Sequence, residues 1–582
     1  MLFQTPEFLV LFIVAVAGVA LARRNSQMHA FITVVSYVFY AWLDVRFLIL
    51  LLITSVVDFV AALGMDDAPL PWRRRWKLSA FIVAMTALTL GPNWQLLQGA
   101  AWKDASWSFD TLLQPLLVGD WVFRAEGSEL PKTFAAWWSI AACVAFAATW
   151  PLVYEWLCRR YQGEARRKAF LIASVVCNLA VLGFFKYFNF FVDGIAKATA
   201  SMGWSFDRPH LEVLLPMGIS FYTFVSMSYT IDAFRRDLRP ERSFLRFTLF
   251  VCYFPHLVAG PIIRPENFLP TLTERWRFSG PRVISGFNLA LNGLFKKVLI
   301  ADSVGPLADS LLASPSTNGT PSLAIMFGSF LFAVQIYCDF SGYSDIARGV
   351  SRIFGPELPI NFSYPYFSTS IIDFWRTWHI SLSTWLRDYL YIPLGGGRVH
   401  PSRVYFNLMA TMILGGLWHG ASANFLLWGF YQGGLLCLNR WLRSALERLP
   451  RISSFLSSRF GSVLRWVCTF YLVCLGWLIF RVNNPADPFD FKDLSYALRK
   501  FLVFDGNLSL GSLGFGTKSP FLVAAWVLLF AVFHYFSWRR GPMHERMDRW
   551  SALRLGTVYA LLGAAFFFFW PTESGTFIYF QF

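Results

Sequence analysis

Charge is scarce in this chain: Asp, Glu, Lys and Arg together make up 15% of its 582 residues, against 56% hydrophobic residues. It has no Walker loop, no GxGxxG following a strand and no GxSxG elbow, so ATP use and a serine-hydrolase mechanism lack support. Its cysteines (Cys143, Cys158, Cys177, Cys252, Cys338, Cys437, Cys468 and Cys474) lie in or beside apolar segments and form no CxxC pair. Neither a zinc site nor a disulfide framework is indicated; they read as small core residues, and no metal is expected. No soluble domain, internal repeat or low-complexity tail stands out. The N-terminus lacks a basic region and a small-residue cleavage site, so residues 8–22 read as a retained span, not a removed signal peptide.

What the chain does have is long apolar runs. Mean hydropathy is +0.47, and the 25 Trp and 61 Phe exceed what a soluble globular chain usually carries. Runs such as 8–22, 47–63, 134–157, 466–480 and 521–536 are of membrane-spanning character. The formal net charge of +16 raises the question of nucleic acid. The Lys and Arg residues sit in short clusters between apolar runs, however, among them Arg73–Arg75, Arg159–Arg160, Arg166–Lys168, Arg235–Arg236, Arg440 to Arg451 and Arg539–Arg540. That pattern is positive-inside topology, with the bilayer as partner and no nucleic acid.

Taking those clusters as cytoplasmic puts the N-terminus outside. Spans are expected near 7–22, 28–44, 46–64, 78–92, 134–157, 169–185, 213–233, 246–262, 284–303, 321–340, 404–418, 424–441, 462–480, 519–537 and 553–571, several of them imperfect. Residues 93–133 and 483–518 read as external loops. The stretch 358–399 is too broken for a plain span, with Pro359, Pro365, Pro393 and Gly395–Gly397. Broken backbone at membrane depth is tolerated where protein or a water-filled cavity satisfies its polar groups. The expected fold is therefore an all-α polytopic membrane protein of roughly 11–14 transmembrane helices, with re-entrant segments around a central cavity.

Within this apolar setting two Trp-His pairs stand out, Trp378-His379 and Trp418-His419. An imidazole takes and returns a proton near neutral pH, and ionisable groups at membrane depth are costly unless used. A continuous helix would put Trp375, Trp378, His379 and Leu382 on one face. Asp373, Arg376, Arg387 and Asp388 lie nearby, which suits a polar interior. His419 lies between Gly415-Gly416 and Gly420, where backbone or substrate can approach closely. A packed, hydrogen-bonded structural histidine is the plain alternative for each.

A third constellation is Asp339-Phe340-Ser341-Gly342-Tyr343-Ser344-Asp345. Its carboxylates need partners, with His379, His419, Arg348 and Arg376 as candidates. A carboxylate on an imidazole N–H would fix the tautomer and raise basicity; pairing with Arg is equally open. Lys186, His256 and the Lys296-Lys297 pair are further polar insertions. For the lysine pair, interfacial snorkelling is the expectation, with an anionic donor or lipid headgroups as the other reading.

At these residues the chain resembles the membrane-bound O-acyltransferase family, most of all its bacterial branch typified by the membrane subunit of alginate O-acetylation. The similar segments run through most of the chain: Tyr40-Ala41-Trp42, Phe184 to Phe190, Leu215 to Phe224, Ala259 to Arg264, Gly293 to Lys297, Asp339 to Asp345, Phe374 to Pro393, Trp418-His419-Gly420 and Phe577 to Phe582. Residues 78–160 depart from the pattern and read as an inserted helical hairpin with an external loop, which bears on partner and acceptor specificity. The expected organisation is one membrane-embedded domain over 1–582, with a catalytic core at 170–440 and C-terminal helices at 441–582.

The resemblance implies that His419 matches the family's nearly invariant histidine and His379 its second functional one. Asp339, Ser341, Asp345, Trp375, Arg376, Trp378, Trp418 and Asn424 are then supporting or substrate-binding candidates. It implies transfer of an acetyl or other small acyl group from a cytoplasmic thioester, acetyl-CoA or an acyl carrier, with no bound cofactor, in the bacterial inner membrane. The acceptor would be an extracytoplasmic polysaccharide, reached through a periplasmic acetyltransferase partner. D-alanyl transfer toward teichoic acid from a carrier protein is the rival within the family, and lipid acyl transfer a weaker one. A transporter or flippase is the rival from another class, since broken helices with buried charges suit it too; the two halves of the chain show no matching pair of interrupted segments.

Overall fold

The computed structural model describes residues 1–42, 44–66, 68–91, 123–125, 132–204, 211–213, 215–482, 489–507, 520–570 and 577–578. The expected external loops at 93–133 and 483–518 lie largely outside these residues. The described chain is helical apart from one antiparallel pair of short strands, Phe123–Ala125 with Leu211–Val213. It divides into two compact units, Met1–Val258 with Ile263–Arg277, and Ala259–Ile262 with Phe278–Phe582.

The first unit contains α1 (Pro6–Leu21), α2 (Asn25–Ala41), α3 (Leu48–Met65), α4 (Trp72–Leu90), α5 (Lys132–Arg160), α6 (Gly163–Leu182), α7 (Phe188–Ser201), α8 (Ile219–Arg235) and α9 (Phe244–Cys252). Helices α4 and α5, the two arms of the hairpin expected as an insertion at 78–160, pack together. Arg75 meets Glu155 at 2.6 Å, and the Leu70 N–H donates to the Tyr154 hydroxyl at 2.9 Å. The span expected over 246–262 is not one helix. Helix α9 ends at Cys252, Tyr253 turns the chain, and a single helical turn holds Phe254–Leu257. Pro255 explains the stop, because it lacks the N–H a continuing helix needs.

The second unit contains α10 (Gly280–Leu294), α11 (Asp302–Leu312), α12 (Ser322–Phe354), α13 (Ile371–Thr377), α14 (Ile380–Leu386), α15 (Pro401–His419), α16 (Ala423–Leu446), α17 (Pro450–Ser457), α18 (Arg459–Arg481), α19 (Lys492–Leu502), α20 (Pro520–Arg540), α21 (Met543–Met547) and α22 (Ala552–Phe569). A wide π turn, Phe295–Ala301, joins α10 to α11 without a break. Helices α10 and α12 approach so closely that a Cβ at Gly293 would lie 2.5 Å from the Gly342 carbonyl oxygen.

Eight helices among the described residues are long and apolar enough to cross a membrane. On α22 no residue is buried, and Phe567 and Phe568 are 83% and 75% exposed. An apolar surface of this kind suits lipid, and helices satisfy their own backbone polar groups there. The protein is an all-α, multi-pass membrane protein.

Candidate active site

The local fold around His379 begins with Asn361, a buried residue between two apolar neighbours. Its main-chain carbonyl accepts from the Ile380 N–H at 2.9 Å. Its side-chain Oδ1 accepts from the Ser381 N–H at 3.2 Å and from the Ser381 hydroxyl at 2.6 Å. Backbone donors that a continuous helix would send four residues back thus go to Asn361 instead. The helix expected to run through Trp375, Trp378, His379 and Leu382 consequently breaks. Helix α13 ends at Thr377, Trp378 is extended, and His379 takes the left-handed conformation, φ 41° and ψ 55°, before α14 begins. A non-glycine residue held there stores about 1–3 kcal/mol, a strain found most often at functional positions. Composition gave one signal for Asn361, a lone amide within an aromatic, proline-broken stretch.

His419 is the last residue of α15, and Gly420 continues in extended conformation. The glycines before it let the backbones of α15 and α16 meet: a Cβ at Gly416 would strike the Phe425 carbonyl oxygen and lie 3.0 Å from Gly429 Cα. At this point the neighbouring backbone occupies the space the small residue leaves. Ser422 caps α16 by accepting from the Asn424 N–H at 3.4 Å, and the Asn424 amide donates to the Val482 carbonyl beyond α18. The turn carrying His419 is tied from both sides.

These two local structures bring the histidines onto one indole. The Trp418 ring lies 6.1 Å from the His379 ring and 5.0 Å from the His419 ring, centre to centre. Phe340 stands edge-on to His379 at 4.6 Å, while Trp428 and Phe480 stand edge-on to His419 at 5.1 and 5.3 Å. His379 is wholly buried and His419 is 6% exposed. Trp378 belongs to the supporting aromatic layer, stacked on Phe374 and 4.7 Å from Trp477. Trp375 lies behind Trp428 at 5.8 Å, and its indole N–H donates to Gln432 at 3.3 Å.

Trp375 also lines a cavity of about 540 Å³ whose wall carries Arg376, Arg387, Arg440 and Arg443. The Arg376 side chain is 73% exposed and lies 3.4 Å from Asp373. The sequence marks Arg376 as a supporting candidate and sets Arg387 near it, whereas Arg440 and Arg443 read there only as topology signals.

The carboxylates go elsewhere. Asp339 meets Lys297 at 2.7 Å and accepts from the Ile578 N–H at 2.8 Å, which docks the Phe577-Ile578 segment on α12. Lys297 also reaches Asp302 at 2.8 Å. Asp345 pairs with Lys296 at 2.6 Å, with Asn292 at 2.8 Å and with Arg348 at 3.3 Å, the last being one of the partners considered for it. The snorkelling expected of Lys296 and Lys297 is therefore overturned. The π turn Phe295–Ala301 places these consecutive side chains both inward, 8% and 2% exposed, where α12 supplies a carboxylate to each. Ser341, also buried, lines a second, smaller cavity beside Asp345.

The structure thus defines a multi-pass helical membrane protein that buries two imidazoles against one indole. The sequence profile described as MBOAT, membrane-bound O-acyltransferase family, matches residues 133–481, and the chain belongs to that family; it is an acyltransferase. It is 38% identical over 414 residues to a probable alginate O-acetylase AlgI of Pseudomonas aeruginosa, covering 70% of this chain and 75% of that protein. It is 33% identical over 395 residues to a peptidoglycan O-acetyltransferase of Helicobacter pylori, covering 60% and 72%. A teichoic acid D-alanyltransferase of Bacillus subtilis is 29% identical over 280 residues, covering 45% and 68%.

Proposed function

We propose that the protein moves an acetyl group from a cytoplasmic thioester to a hydroxyl acceptor on the outer side of the bacterial inner membrane, for O-acetylation of a polysaccharide. The observation that carries this reading is the meeting of His379 and His419 on Trp418. His419 takes the proton of the attacking hydroxyl as its oxygen adds to the thioester carbonyl, and the C–S bond then breaks. The same imidazole returns the proton to the departing thiolate. General-base help of this kind is worth roughly 10²–10⁴-fold. His379, held in place by its strained turn, stabilises the oxyanion of the tetrahedral intermediate, a term of similar or larger size.

The donor reading is supported by the arginine-lined cavity. Arg376, Arg387, Arg440 and Arg443 suit the phosphates of acetyl-CoA or of a carrier-linked phosphopantetheine, because guanidinium groups bind phosphate oxygens in pairs. The acceptor reading draws on the relatives named for alginate and peptidoglycan O-acetylation, which match at higher identity and over more of the chain than the D-alanyl-transferring one. A periplasmic acetyltransferase partner completes the transfer to the polymer.

The test is His419→Ala in the full chain, expressed with the polysaccharide it serves and monitored by acetyl content. Acetylation is expected to vanish while membrane level and helicity stay at wild-type values. Near-normal acetylation by this variant would sink the assignment.

A further inference from the structure

The smaller cavity, about 120 Å³, shares no residue with the arginine-lined one and touches neither His379 nor His419. It opens where α20 turns into α21, beside Pro542, Met543 and the exposed Glu545. Its space is several times what one water needs, roughly 10–15 Å³. Its wall holds Lys296, Asp345, Arg348, His534 and His544, of which Lys296, Arg348, His534 and His544 are all at least nine-tenths buried.

Hydrogen-bond capacity there is underused. A lysine ammonium and an arginine guanidinium together offer eight N–H donors. Among the described residues three are engaged: Lys296 to Asp345, Arg348 Nη1 to Asp345, and Arg348 Nε to the Leu358 carbonyl at 3.4 Å. The two cations share one carboxylate, Asp345, whose side chain is 16% exposed, leaving an excess of positive charge. Glu545 stands in solvent at the mouth, where water screens it. His534 is sandwiched between Phe530 and Phe367, each 5.1 Å away, and its Nε2 has no hydrogen-bond partner among the described residues. Buried donors left in this state are costly unless a ligand or water meets them. A compact group with several acceptor oxygens and negative charge meets many of them at once.

We propose that this cavity is a second ligand site, which binds a phosphoryl group between Lys296 and Arg348 with His534 at its side. The ligand is either a free phosphate or the headgroup of an anionic lipid; both present the same oxygens. The site is independent of the acyl-transfer reading, so either can fail alone.

The experiment uses the full chain in nanodiscs. In neutral phosphatidylcholine discs, calorimetric titration with inorganic phosphate is expected to show saturable binding. The Lys296→Gln/Arg348→Gln double variant should weaken it at least about tenfold, as expected for loss of charge-assisted hydrogen bonds. Lys296→Arg, which keeps charge and donors, should retain binding and guards against a folding artefact. In parallel, native mass spectrometry of protein released from phosphatidylglycerol discs reads retained lipid. Phosphate binding in the titration assigns the free ligand, whereas retained phosphatidylglycerol without phosphate binding assigns the lipid. No binding in either arm, or equal binding by the double variant, would overturn the proposal.

Discussion

Replacing Lys297 by Met is the sharpest available test of how the core around α12 is held. Lys297 lies 2.7 Å from Asp339 and 2.8 Å from Asp302, and the three side chains are 2%, 4% and 5% exposed. Methionine fills much the same volume, so packing changes little and the effect is electrostatic. Two buried carboxylates are then left without their shared cation and must either stay charged in an apolar core or take up protons. Breaking a buried pair on one side costs about 3–5 kcal/mol. Asp302→Asn leaves Lys297 with Asp339 and should cost less, about 1–3 kcal/mol, the range for leaving a buried partner partly unsatisfied. The triple variant Lys297→Met/Asp302→Asn/Asp339→Asn removes all three charges and should recover part of the loss, since neutral replacements of buried ion clusters are often tolerated. Denaturant unfolding in mixed micelles, followed by tryptophan fluorescence, gives the ranking. A loss below about 1 kcal/mol for Lys297→Met, or a triple variant less stable than the single one, would refute the reasoning.

Two further outcomes follow from backbone geometry. Because His379 has φ 41°, His379→Gly should be more stable than His379→Ala by about 1 kcal/mol, read as a higher denaturant midpoint, although both lose the imidazole and at least about 10²-fold in acyl transfer; equal midpoints would show that the backbone there is not strained. Because a Cβ at Gly416 meets the backbone of α16, whereas one at Gly434 meets nothing within 4 Å, Gly416→Val should abolish acetylation and lower stability, while Gly434→Ala should be neutral or stabilising by up to about 1 kcal/mol, measured by the same unfolding assay. A tolerated Gly416→Val would show that the helices can part without loss.

Most of the fold was legible because membrane helices announce themselves by composition: the solvent, not the partner, selects their residues. The Trp-His pairs were legible for the related reason that an imidazole in an apolar run is conspicuous. Periodicity failed where hydrogen bonds from afar replaced those of the helix. Nothing in the spacing of Trp375, Trp378, His379 and Leu382 reveals that Asn361 takes the N–H groups of Ile380 and Ser381. Such competition is long-range in space, so a local pattern cannot report it.

The charged insertions show the same limit in a more systematic form. Lys186, the Lys296-Lys297 pair and Arg387-Asp388 all sit in π turns, Gly183–Tyr187, Phe295–Ala301 and Arg387–Tyr391. A π turn inserts an extra residue and rotates the following side chains around the helix axis. In a span read at 3.6 residues per turn, one of two consecutive lysines points away from its neighbour's partner. Widening the turn brings Lys296 onto Asp345 and Lys297 onto Asp339, six residues apart on α12. The two pairs then serve different ends. The Lys297 pair closes on itself and fastens the Phe577-Ile578 segment, while the Lys296 pair faces a cavity with donors to spare. One local irregularity in α10–α11 thus separates a structural ion cluster from a candidate binding site. Removing the extra residue by deletion within Phe295–Ala301 should disrupt both together.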